Sequence, residues 1–140
     1  MALIAKIQFG DNDVGLFTKQ HLVADCYLHF TRNHDLFSPE TDAHCERVEV
    51  VVVASGNNDL NLYEWYISQN PLSGQIVFDL QTVTSHSDTP VKVLQFEEAY
   101  CYAISEEYHI DMKRQRTIKL SFVAEKITIN NTEFKNLYNR

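Results

Sequence analysis

Apolar and polar residues alternate with period two along most of the chain and switch to helical spacing once. Leu3, Ala5, Ile7 and Phe9 share one face of residues 2–9, with Lys6 and Gln8 opposite, which predicts a first strand. Residues 10–21 hold Gly10, Asp11, Asn12, Asp13 and Gly15, the chemistry of a turn. A second strand is expected at about 22–32, with Ala24, Cys26, Leu28 and Phe30 on one face. A third covers 45–54, and its run of valines at 50–53 is apolar on both faces, so both faces should be covered.

Helical spacing appears at 58–69. Leu60, Tyr63 and Ile67 form one stripe, and Leu62, Trp65 and Tyr66 an adjoining one. Side chains this bulky predict a largely covered helix, anchored by Leu62, Trp65 and Tyr66. Asn57 or Asn58 can cap its start, with Asp59 where the helix dipole favours an anion. Asn70-Pro71 ends it, because proline restricts the residue before it and donates no backbone hydrogen bond.

Ser73-Gly74 then opens a fourth strand, with Ile76, Phe78 and Leu80 on one face. Residues 84–90 read as a polar loop, and residues 91–104 as a long strand. Its phase changes between Val93 and Leu94, which predicts a β-bulge and places Leu94, Phe96, Tyr100, Tyr102 and Ile104 together. Charged residues 105–116 read as a hairpin connection. Ile118, Leu120, Phe122 and Ala124 then face inward, and after Glu125 the parity passes to Ile127 and Ile129, a second bulge. Asn130-Asn131 suits a tight turn back into a short strand at 132–134. The tail, 135–140, is expected to fray. About seven strands and one helix predict a mainly β fold: an antiparallel β-barrel or tight two-sheet sandwich with one flanking helix.

Residues 33–44 break every period. A loop this long between two strong strands is more often functional than idle. It carries Leu36 and Phe37, which either fold back onto the domain's own core or dock onto another protein.

Composition narrows the function. A chain of 140 residues is most simply one domain, residues 1–140, and it needs no metal or disulfide for its core. Its net charge of −7 argues against nucleic acid or an anionic membrane surface as partner. No stretch has the apolar length of a membrane span. Lys6 interrupts the apolar N-terminus, which reads as a strand and not as a signal peptide. Cys26, Cys45 and Cys101 form no Cys-x-x-Cys pair and read as reduced thiols of a protein made in the cytoplasm.

The residues offer no catalytic or metal constellation. Among the 6 histidines, His29, His34 and His44 lie near Asp35, Asp42 and Cys45, but their spacing matches no zinc motif. His86 and His109 fall in loops. There is no Gly-x-Ser-x-Gly elbow and no glycine-rich phosphate loop. Glu97 and Glu98 are strand neighbours and should face apart. The reading is a structural or binding module without catalytic residues, metal or cofactor.

Three motifs in order carry a resemblance. Leu62-Tyr63-Glu64-Trp65, followed by the stretch from Asn70 to Phe78, is similar to the type VI secretion tube family Hcp (TssD), in its Bacteroidetes-type branch. The stretch Leu94-Gln95-Phe96-Glu97-Glu98-Ala99-Tyr100-Cys101 resembles that branch's Leu-x-Phe-x-x-Ala-Tyr-Cys strand, and Phe122 to Asn130 its last long strand and hairpin. Before residue 60 the likeness is thinner, carried by Cys26-Tyr27 and Arg32 to Asp35.

The resemblance implies a non-enzymatic β-barrel that assembles into a six-membered ring. Rings would stack into a hollow tube inside a contractile sheath and leave the cell with a spike, carrying effectors. It also implies that the loop at Asp35, Leu36, Phe37, Ser38 and Pro39 reaches the neighbouring ring. The loop departs from the family here, since a Gly-Arg-Pro-Ser-like stretch and later glycines are replaced. Three other readings stay open: a ring-forming paralogue that does not stack, a small ligand-binding β-barrel, and a metal-dependent hydrolase built on the 29–45 histidines.

Overall fold

The computed structural model describes residues 2–31, 44–54, 60–81, 92–110 and 115–135. The elements are β1 (Ala2–Asp11), β2 (Leu16–Thr31), β3 (His44–Ala54), α1 (Leu60–Ser68), β4 (Leu72–Gln81), β5 (Lys92–His109), β6 (Gln115–Ile129) and β7 (Thr132–Lys135). The strands run in the order β3-β2-β1-β4-β5-β6-β7, and β3 also pairs with β6. Every pairing is antiparallel, so six strands close into a barrel, and β7 pairs with β6 past the stretch that β3 pairs with. Closure leaves the central strands without a long free edge.

Alternation puts Ile7, Phe9, Val48, Val50, Val52, Ile76, Leu94, Phe96, Ile118, Leu120 and Phe122 inside, each at most 4% exposed. The barrel interior is therefore filled by side chains, as the radius of a six-stranded barrel requires. Gly74 is demanded by close approach. A Cβ there would collide with the Gln8 carbonyl oxygen of β1 and the Phe96 ring of β5.

Several expectations are corrected. The turn near residue 12 occupies only 12–15, with Gly15 at φ 70°, and β2 begins at Leu16. The β2–β3 register shifts between Val23 and Asp25. That slip puts Val23, Cys26 and Leu28 against the core, while Ala24 is exposed and Phe30 is 40% exposed. Residues 105–109 are not a connection. β5 and β6 extend as a paired arm to Tyr108↔Arg116 and His109↔Gln115.

The phase change in β5 is not at Val93–Leu94. It falls at Glu98, whose φ is 51°. Inward positions are even before it (Leu94, Phe96) and odd after it (Ala99, Cys101), which turns Tyr100 and Tyr102 outward. The shift expected after Glu125 is present in β6, where Ala124 and Ile127 are both buried. The two shifts lie opposite each other, so the register passes unbroken from Glu97↔Lys126 to Ala99↔Ala124. The paired strands bend together.

α1 runs Leu60–Ser68, inside the expected 58–69, and its caps before residue 60 lie outside the described residues. Gln69, at φ 60°, turns the chain out in the left-handed conformation common after a helix, one residue ahead of Asn70-Pro71. Leu62 and Trp65 are buried. Tyr66 is not an anchor: it is 41% exposed, and Tyr63 packs against the core instead. Leu60 and Ile67 are also exposed, so the helix is covered on one side only.

Candidate functional site

Trp65 is the pivot of the helix–barrel junction. Its ring lies 5.3 Å from Phe9 of β1, 6.5 Å from Phe96 of β5 and 5.2 Å from Phe122 of β6, centroid to centroid. β1 and β6 sit three strands apart either way round the barrel, so only a side chain at its open end or interior meets both. The helix therefore lies over one end of the barrel. The buried pair Ala99 and Ala124, opposite each other in β5 and β6, leaves room there. The indole Nε1 donates to the Ala99 carbonyl at 2.9 Å, satisfying the one polar atom of the ring.

Two further ties hold the helix. Asn61 Oδ1 lies 3.1 Å from Nε2 of buried His21 on β2. Tyr63 reaches toward Glu106 on the β5–β6 arm, where Tyr108 Oη donates to Glu106 Oε2 at 3.2 Å and Arg116 Nη1 meets Oε1 at 3.3 Å. The nearby Tyr63 hydroxyl, then the Tyr108 hydrogen bond and the Arg116 charge, hold the Glu106 carboxyl below its usual range. His21 and Glu106 had no role in the sequence reading. His21 fell in a segment read as turn, and Glu106 in one read as a connection.

Beside the helix lies a cleft of about 760 Å³ between the 12–15 turn, the start of β4 and the Glu98 bend. Phe9, Trp65 and Leu72 contribute its apolar part, and Asp11, Asp13, Glu64, Glu97 and Glu98 line it as carboxylates. Glu97 is bridged to Lys126 at 3.2 Å. Asn12 donates from Nδ2 to the Phe96 carbonyl at 3.1 Å, while its Oδ1 is buried with no partner among the described residues.

The described histidines, His21, His29 and His109, do not converge. His29 is half-buried on β2 with its ring stacked on Tyr27, and His109 lies 3.2 Å from Thr117 Oγ1. His34, Asp35, Asp42 and His86 lie outside the described residues, as does the side chain of His44. Among the described residues no three His, Cys, Asp or Glu side chains are placed to hold a metal. Cys26, Cys45 and Cys101 are free thiols. Burial pushes Cys26 up to about 12 and Cys101 up to about 11. The loop residues Asp35, Leu36, Phe37, Ser38 and Pro39 also lie outside the described residues.

The whole arrangement has known counterparts. Residues 1–139 match the family described as Hemolysin coregulated protein Hcp (TssD). The chain belongs to the Hcp (TssD) family. The barrel of this Hcp-type chain superposes on Hcp1 from Flavobacterium johnsoniae with a TM-score of 0.73 at 21% identity, covering 95% of this chain and 99% of that one. Hcp3 from Pseudomonas aeruginosa, a secreted protein, gives a TM-score of 0.66 at 14% identity over 94% and 92% of the two chains. Hcp1 from Salmonella typhimurium gives 0.62 at 9% identity over 91% and 86%. At such identities the likeness carries the fold, and the family match carries membership. No curated protein is detectably similar in sequence. Among the described residues no helix is long and apolar enough to cross a membrane.

Proposed function

We propose that this Hcp-type protein is the structural subunit of a type VI secretion inner tube. Six copies form a ring, and rings stack into a hollow tube that is expelled with the spike and can carry effectors. The subunit is made in the cytoplasm and leaves through the apparatus; its partners are further copies of itself, the contractile sheath, the spike and baseplate, and effector proteins. The observation that carries this reading is the family match across residues 1–139. The surface supports it. Tyr27, Tyr100 and Tyr102 stand out from the strands, and Leu60 and Ile67 from the helix, each at least 38% exposed. Aromatic groups of this kind are what subunit interfaces cover.

Within the tube, the segment Asp35-Leu36-Phe37-Ser38-Pro39 is the contact to the next ring. Native mass spectrometry of the purified protein tests the reading. A hexamer is the expected result, and a monomer at high concentration overturns the ring.

A further inference from the structure

We draw no further inference here: the strongest candidate, the row of glutamines Gln20, Gln8, Gln75 and Gln95 across the outer face of β2, β1, β4 and β5, with Gln8 Nε2 donating to Gln20 Oε1 at 3.0 Å and Gln75 Nε2 to Gln8 Oε1 at 2.6 Å, is an open sheet face with nothing in the structure to show what covers it.

Discussion

Trp65 donates its indole hydrogen to the carbonyl of Ala99 at 2.9 Å, one residue past the left-handed Glu98. The helix is thus fastened at the point where β5 changes its inward parity. Replacing Trp65 by alanine removes contacts to Phe9, Phe96 and Phe122 together and leaves a cavity. The expected destabilisation is about 3–5 kcal/mol. Trp65→Phe keeps most of the packing and leaves the Ala99 carbonyl without its donor, for about 1–3 kcal/mol. Urea denaturation followed by circular dichroism measures both, and an unchanged midpoint for the alanine variant would refute the anchoring role.

Gly74 sits where β1, β4 and β5 meet. A methyl group there has no space beside the Gln8 carbonyl and the Phe96 ring. Gly74→Ala should cost about 1–3 kcal/mol through strand displacement. Gly15→Ala places its Cβ in open space and meets only the φ of 70°, so its cost should be about 1 kcal/mol. Equal denaturation midpoints for the two variants would contradict the close approach at Gly74.

Cys26 and Cys101 hold their protons in the fold because burial penalises the thiolate. Their folded values are raised above the free value of 9.0, to about 12 and about 11. The stability this contributes is fully present below pH 9 and is lost as pH rises through about 11 to 12. At pH 8, iodoacetamide should label both on the order of a hundredfold more slowly in native protein than in urea. Rapid native labelling would show that the thiols are not held as described.

Glu106 behaves in the opposite sense. Its carboxyl is held low, first by Tyr63 on the helix, so its contribution is present above about pH 4.3, the unfolded value, and fades as pH falls through the lower folded one. Glu106→Gln should therefore be less stable than the parent at pH 7, with the gap closing on acidification. Denaturation midpoints across pH 3–7 give the test, and a gap independent of pH would break the assignment.

Leu36→Asp with Phe37→Asp should leave the hexamer intact and abolish stacking. Covering each apolar side chain is worth about 1.5–3 kcal/mol, and added negative charge raises repulsion between rings. Size-exclusion chromatography reads the ring and electron microscopy the stacks. Dissociation to monomers would move the loop into the subunit or the ring interface, and normal stacks would remove it from assembly.

Strand existence was legible because alternation follows burial directly from Ala5 to Phe9 in β1 and from Val48 to Val52 in β3. Parity inside the bent strands was harder to read. Shared parity with Leu94 and Phe96 puts Tyr100 and Tyr102 inward, whereas the interior there holds Ala99 and Cys101, since Trp65 has already taken the volume. Nothing about Glu98 announces a left-handed residue, because glutamate rarely adopts that conformation. The helix offered two apolar stripes, and sequence alone does not say which one a barrel mouth will cover. The cleft was invisible for a related reason: Asp11, Glu64 and Glu98 come from three distant segments joined only by the fold.

The pairing of β3 with β6 also sets how the chain reaches its native state. Val48 meets Phe122 only after the intervening strands and helix have been gathered, so the seam closes against a large loss of chain entropy. Until it closes, Val48, Val50 and Val52 face solvent beside unpaired backbone, as do Leu120 and Phe122. Folding should take milliseconds to seconds, as for other topologies dominated by distant contacts. In a crowded cell the half-closed barrel would be the species most at risk of joining the wrong strand, so the speed of sealing governs the yield of usable subunits.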